Sequence, residues 1–378
     1  MRAKVGFLFA ATAMVLLFAA STPGLSYPFK GVTFHCATRP PYSLAPYTDA
    51  DKRAVLERLK PAGVTWVRVF VQWWQAEPDG PRFDPTYKRG LDECLRLIRD
   101  SGMSVLLAVY GTPSWAQRGY EVADRRKPPS DCLSAAAPCG SFGGLVRRLT
   151  AAYPSAGAVE VWNEPNGRSY LLAVCNRRGW NWGGGCGTDV EAEKAAAHDE
   201  YSSLFRSAAA AETRIPVVLG GIASATYYRT RDWLADLYGE PDLSKDAWDV
   251  VALHPYPPYA SSSDCPSVER TFAPVRDAVK IMSAHGDGAK PIWLTELGWS
   301  DLNGEAPGYC SVGEQQERAS EALVDVPRDV GVEMWWLTDR KHFGSCPQGT
   351  WNCGTALLRW SGSAFVPNPV YSEFSEAP

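Results

Sequence analysis

Short apolar runs recur eight times along the 378-residue chain: Gly31–Cys36, Thr65–Val71, Ser104–Tyr110, Ala158–Trp162, Pro216–Leu219, Trp248–Leu253, Pro291–Thr295 and Val332–Leu337. They are rich in Val, Ile, Leu and Trp and nearly unbroken by polar residues, the pattern of parallel strands buried on both faces. Between them the apolar residues fall three and four apart, which predicts helices over Asp49–Leu59, Leu91–Asp100, Phe142–Ala152, Val190–Ala211, Val268–Ala284 and Gly313–Val324, with a shorter one near Thr230–Tyr238. Strands alternating with helices imply an α/β fold with a parallel sheet. Eight strands, starting about every forty residues, imply a single closed (β/α)8 TIM barrel over residues 27–378 rather than an open sheet. An open doubly wound sheet would usually carry a Gly-rich phosphate fingerprint after an early strand, and none is present. The tail from Ser361 is expected to add a strand or to cover the barrel.

The first 26 residues break this pattern. Arg2 and Lys4 precede an apolar run from Val5 to Ala20, and small residues follow to Ser26. The run is short for a membrane span and has no basic flank on its far side, so it reads as a secretory signal peptide, cleaved near Ser21 or Ser26. A secreted, extracellular, monomeric protein is expected, with no membrane association after cleavage. The ten cysteines suit export, because disulfides persist outside the cytosol. Cys132 and Cys139, Cys175 and Cys186, and Cys346 and Cys353 are close enough in sequence to staple one loop each. Cys265 and Cys310 are placed to join two loops, and Cys36 and Cys94 are left either paired or free. No CxxC pair argues for a zinc ribbon. A formal net charge of −4, with no basic block, argues against nucleic acid and anionic membrane as partners.

Active sites of such barrels lie at the C-terminal ends of the strands. The fourth strand ends in Glu160-Val161-Trp162-Asn163-Glu164-Pro165-Asn166 and the seventh in Thr295-Glu296-Leu297-Gly298. An acid where an apolar strand opens into a loop must be paired, hydrogen-bonded or working. Two carboxylates facing one cleft can break a glycosidic bond, one protonating the leaving oxygen while the other attacks the sugar or activates water. Strands four and seven lie across a barrel from each other, so side chains reaching inward would meet near its axis.

Trp162-Asn163-Glu164-Pro165 together with Thr295-Glu296-Leu297-Gly298 resembles the clan A glycoside hydrolases, the "4/7" superfamily, and the resemblance extends over essentially the whole chain after the leader. Within the clan, Gly111–Trp115, Glu160–Asn166 and Glu296–Ser300 resemble family 39-like and family 5-like enzymes. The resemblance implies a retaining enzyme acting on a carbohydrate, with Glu164 as acid/base, Glu296 as nucleophile and Asn163 bonding the sugar 2-hydroxyl. It also implies that Arg68 hydrogen-bonds the nucleophile, that Tyr256 does the same, and that His254 positions substrate or Glu164. His35 would contact sugar, Trp336 would floor the catalytic subsite, and Trp115 would wall the cleft. β-Linked polysaccharide or oligosaccharide is the expected substrate.

The residues admit other readings. Arg68 in the barrel interior can be a structural ion pair, with Glu160 as its partner. Core packing is the ordinary role of a tryptophan and is expected of Trp66, Trp233 and Trp248 among the fifteen, whereas Trp73, Trp74, Trp115, Trp180, Trp182, Trp299, Trp335, Trp336 and Trp351 fall near the predicted upper face. His198 and His285 are expected at the surface, and His342 near the rim. No HExxH, Walker A, EF-hand or GxSxG motif occurs, and neither a metal nor a cofactor is expected. A non-catalytic carbohydrate-binding barrel is the rival from a different class. A barrel lyase or aldolase would need a strand-end Lys or a metal, and no such Lys is evident.

Overall fold

The computed structural model describes residues 29–37, 47–118, 120, 123–133, 139–171, 189–211, 213–224, 226, 228–256, 264–301, 310–327, 330–336 and 354–377, with 332–336 as backbone alone. The proposed leader, Trp180, Trp182, His342, Trp351, the Cys175/Cys186 and Cys346/Cys353 pairs, and the side chains of Trp335 and Trp336 lie outside the described residues.

The apolar runs form strands β1 (Phe29–Thr33), β2 (Val64–Gln72), β3 (Ser104–Tyr110), β4 (Ala158–Asn163), β5 (Val217–Ala223), β6 (Val250–His254), β7 (Ile292–Leu297) and β8 (Val330–Trp336). All are parallel and pair in chain order, and β1 pairs with β8, so the sheet closes into a barrel. The crossovers carry helices Asp49–Leu59, Pro85–Asp100, Gly140–Ala152, Val190–Ala209, Thr230–Gly239, Ala273–Ala284 and Val312–Val324. Helix Val370–Glu376 packs against Val312–Val324 and takes the eighth place in the outer ring. The architecture is a (β/α)8 TIM barrel.

Local chemistry sets the boundaries that apolar spacing alone misplaces. The second crossover helix begins at Pro85, six residues before the expected start. Asp84 caps it by accepting from the Thr86 and Tyr87 amides, and Pro85 supplies the preset first position. The stretch expected as one helix over 268–284 breaks at Phe272, because Pro274 restarts it. β5 runs past its expected end through Gly220 and Gly221. A Cβ at Gly220 would stand 2.2 Å from the Val161 carbonyl oxygen, and one at Gly221 would stand 2.1 Å from His254 Nε2. The glycines here admit a neighbour rather than end the strand.

The apolar floor of the barrel is Leu106, Ala158, Val218, Val250, Ala252 and Trp293, with Trp66 against Trp293. Side chains two places apart on a strand share a face. One step up from this floor, β2, β4, β6 and β7 therefore present Arg68, Glu160, His254 and Thr295 to the interior. The main core packs the outer barrel face against the helices.

Three disulfides lie among the described residues. Cys132–Cys139 and Cys265–Cys310 match the expected pairs, and Cys36–Cys94 ties the exit of β1 to the 85–100 helix. The tail from Ala356 forms a hairpin, Leu358–Trp360 with Phe365–Pro367, and then the last helix. That helix is fastened by Lys30 of β1, whose buried ammonium donates to the carbonyls of Phe374 at 2.9 Å and Ala377 at 2.5 Å. Lys30→Met is expected to lower stability by about 1–3 kcal/mol, because charge-assisted bonds to the helix end are lost. A urea unfolding midpoint unchanged from the wild type would contradict this.

Candidate active site

Arg68 is fully buried and organises the barrel mouth. Its Nε and Nη2 donate to Glu160 at 2.6 and 3.0 Å, its Nη1 to Glu296 at 2.6 Å, and its Nη2 to Asn163 Oδ1 at 2.6 Å. The guanidinium also lies over the Phe70 ring, 4.6 Å from its centre. Glu160 accepts further bonds from the Gly221 amide at 2.8 Å and the Thr295 hydroxyl at 3.3 Å. A buried ion pair is tolerated when its remaining lone pairs are satisfied in this way.

Glu164 and Glu296 meet at His254. Nδ1 of His254 is 3.0 Å from Glu164 Oε1 and 3.7 Å from Glu296 Oε2. The Tyr256 hydroxyl donates to Glu296 Oε2 at 3.4 Å. A carboxylate oxygen of Glu164 and one of Glu296 lie within 4.8 Å of each other. Neighbours assign the imidazole tautomer. Thr295 donates its hydroxyl proton to Glu160, so its oxygen accepts from His254 Nε2, 3.1 Å away. Burial holds His254 down to about 4, so it is neutral at ordinary pH and its Nδ1 is an acceptor. Its partner, Glu164, must then be the donor and carry a proton.

The electrostatics agree. Burial pushes the Glu164 carboxyl up to about 7; Arg68 opposes the rise and Glu160 adds to it. Burial also raises Glu296, but the Arg68 guanidinium opposes the rise. Of the two acids, only Glu296 bonds directly to the cation.

The backbone under Glu164 is unusual. Trp162 has φ 72° and Glu164 φ 43°, a left-handed region that costs non-glycine residues about 1–3 kcal/mol each. Asn166 holds the turn from below. It donates to the carbonyls of Ala223 and Tyr228 at 2.6 and 2.7 Å and accepts from the Ala223 amide at 2.9 Å. The Trp162 indole donates to the Tyr170 carbonyl at 3.0 Å.

Arg68, Asn163, Glu164, His254, Tyr256 and Glu296 therefore come together. His35 packs on the Phe70 ring, 4.9 Å between centres, beside them. Trp336 is in register with Thr33 on the β1–β8 pair. Trp115 is half-buried at the end of β3. Its indole donates to the Glu77 carbonyl at 2.7 Å and packs edge-on against buried Trp73, which places it in the helix packing. Trp299, by contrast, is buried, with its N–H on the Pro266 carbonyl. His198 is not a surface group, because it is buried, edge-on to Trp233 and 2.9 Å from Glu240. No sequence signal pointed to Tyr170, Tyr110 or Gln72, and Thr295 and Asn166 stood in the quoted motifs without a role of their own. The Asn166 signal was the second Asn of Asn163-Glu164-Pro165-Asn166, and that of Thr295 was a polar residue inside an apolar strand.

Among the described residues, two clusters are close enough to share a cation: Glu164–His254–Glu296, and His198–Asp199–Glu240 on the outer helical layer. In the first, Arg68 already supplies a positive charge to Glu296.

A (β/α)8 barrel with acids at the ends of its fourth and seventh strands defines the clan A glycoside hydrolases. The family model for cellulase (glycosyl hydrolase family 5) matches residues 27–338, and the chain belongs to that family, whose members hydrolyse O-glycosyl compounds. No curated protein matches it. Its fold is similar to a family 39 glycoside hydrolase from the gut symbiont Bacteroides cellulosilyticus, with TM-score 0.60 and 16% identity over 92% of this chain and 63% of that one. The chain thus spans under two thirds of that relative's length. A GH5_18 protein from Streptomyces cattleya in complex with Manβ1-4GlcNAc gives TM-score 0.61 and 16% identity over 93% and 80% of the two chains. A GH5-4 broad specificity endoglucanase from Clostridium acetobutylicum gives 0.59 and 14% over 92% and 97%.

Proposed function

We propose that the protein is a retaining glycosidase that cleaves β-linked bonds of an extracellular polysaccharide or oligosaccharide by double displacement, with Glu296 as nucleophile and Glu164 as acid/base. The observation that carries this reading is the approach of the two carboxylates to within 4.8 Å, in different environments. Retaining pairs stand about 5–5.5 Å apart, whereas inverting pairs leave about 6.5–9.5 Å for a water. Secretion is supported by the three disulfides among the described residues.

In the first step Glu164 protonates the leaving oxygen while Glu296 attacks the anomeric carbon and forms a glycosyl ester. Esterification removes the negative charge of Glu296, so Glu164 gives up its proton more readily and activates the incoming water. Asn163 Nδ2 is buried and has no protein partner among the described residues. A sugar 2-hydroxyl would satisfy it, a bond that strengthens in the transition state.

Product release from a glycan panel, with proton NMR of the first product anomer, tests the reading. Retained configuration is expected, and inversion overturns it. The pH profile gives a second test. Glu164 works only while protonated, so kcat/KM is expected to fall as pH rises through about 7. In Glu164→Ala, assayed on an aryl glycoside whose leaving group needs no proton, that alkaline limb should vanish. Its persistence would assign the limb to another group.

A further inference from the structure

Thr295 is fully buried in the barrel, its hydroxyl 3.1 Å from His254 Nε2 and 3.3 Å from Glu160 Oε1. We propose that it is a positioning residue for the acid/base: its hydroxyl, tied to Glu160, fixes the His254 ring so that the ring accepts a proton from Glu164 and cannot donate one to it. This rests on the glycosidase reading and extends it to what sets the working range of the acid.

The chain of bonds has a single direction. A hydroxyl has one proton, and a neutral imidazole has one N–H. The Glu160 carboxylate is paired with Arg68 and can only accept, so the Thr295 proton goes to it and the Thr295 oxygen is left to accept from Nε2. Nδ1 then faces Glu164 Oε1, 3.0 Å away, as a lone pair. Close packing keeps the chain in place. The Gly221 amide donates to the same Glu160 oxygen at 2.8 Å. A Cβ at Gly221 would stand 2.1, 2.6 and 2.8 Å from Nε2, Cε1 and Cδ2 of His254, so the ring lies directly against β5. The Thr295 carbonyl accepts from the Thr33 hydroxyl at 3.3 Å, which holds this point of β7 to β1.

This direction suits both steps. In the first, burial opposes an imidazolium, so Nδ1 holds the Glu164 proton without taking it and leaves it for the departing oxygen. In the second, Glu164 is a carboxylate facing a lone pair. His254 does nothing to stabilise that charge, and Glu164 is the stronger base toward water. A ring with its proton on Nδ1 would do the reverse and hold Glu164 ionised. Glu160 thereby acts on both carboxyls. Through Thr295 and His254 it keeps the proton on Glu164, and it anchors the Arg68 cation that favours the charged form of Glu296. The other titratable or charged groups around Glu164 and His254 are Arg68 on β2, Tyr110 on β3, Tyr170 beyond β4, Tyr256 after β6 and Glu296 on β7, with His35 against Phe70. Among the described residues Thr295 alone bonds His254 Nε2.

The test reads the proton directly. In protein labelled with nitrogen-15 at its five histidines, long-range proton–nitrogen spectra should show His254, assigned by its loss in His254→Gln, with its proton on Nε2. Thr295→Val keeps the shape and removes the hydroxyl, and should move that proton to Nδ1. Carbon-13 titration of the Glu164 carboxyl, assigned by its loss in Glu164→Gln, should then show a midpoint lowered from about 7. The fall should be about 1–2 pH units, the worth of one hydrogen bond to a charged group. The alkaline limb of kcat/KM, on the glycan that the wild type cleaves, should move down with it. Thr295→Ser keeps the hydroxyl and should keep the wild-type tautomer and midpoint. A wild-type proton on Nδ1, an unchanged midpoint in Thr295→Val, or a fall in Thr295→Ser as large as in Thr295→Val overturns the proposal. The first of these is read on the wild type and needs no variant of Thr295 to fold. Failure of the glycosidase reading would show separately, as the expected tautomer and titrations in a protein that cleaves no glycan of the panel.

Discussion

Glu296→Ala is expected to reduce hydrolysis by roughly 10⁴-fold or more, because it deletes the group that bonds the anomeric carbon. The same variant carries an internal check. Removing the carboxylate leaves space beside the Arg68 cation, which held it at 2.6 Å. A small anion such as azide can enter from that side and attack the sugar directly. On an activated aryl glycoside this single displacement should restore turnover and give a glycosyl azide of inverted configuration. In Glu164→Ala, azide would instead resolve the glycosyl ester on the opposite carboxylate and give a retained product. Opposite products from the two variants distinguish nucleophile from acid/base without reference to any relative. Undiminished hydrolysis by Glu296→Ala would remove the residue from the mechanism.

Arg68→Met is expected to cost about 3–5 kcal/mol of stability, the usual consequence of stranding a buried charge. Glu160 is fully buried and would lose two bonds of 2.6 and 3.0 Å while keeping only those from Gly221 and Thr295. Urea unfolding should show a much lower midpoint. Adding Glu160→Gln should recover part of the loss, because the uncompensated charge goes with it, and a double-mutant cycle measures the coupling. The single variant also changes chemistry. Arg68 holds the Glu296 carboxyl down, so its removal raises that carboxyl further, and the acid limb of the pH profile moves to higher pH. A variant as stable as the wild type would overturn this account of the buried pair.

The barrel was legible because strands buried on both faces leave apolar runs that little else produces, and all eight occur in order. The meeting of Glu164 and Glu296 was legible because the strand rule and the motif point to the same two residues. Side-chain direction was much less legible. Trp73 and Trp74 are neighbours, yet one is fully buried while the other lines a cavity. A run of aromatics near a strand end does not say which ring turns outward; tertiary packing decides that, and it drew Trp299 inward. The His254–Thr295–Glu160 chain was invisible for a different reason. It joins three strands through single hydrogen bonds that leave no spacing in the sequence.

The bond from Lys30 to the last helix bears on how the molecule is made. Lys30 and its acceptor Phe374 stand 344 positions apart, and β1 cannot close the sheet until β8 exists. At roughly 5–20 residues per second of synthesis, the first strand waits on the order of tens of seconds for its second neighbour. Throughout that wait it presents a sheet edge with unpaired amides and carbonyls, the kind of edge that captures other chains. A chain cut short before β8 keeps this edge open, and its sheet cannot close into a barrel.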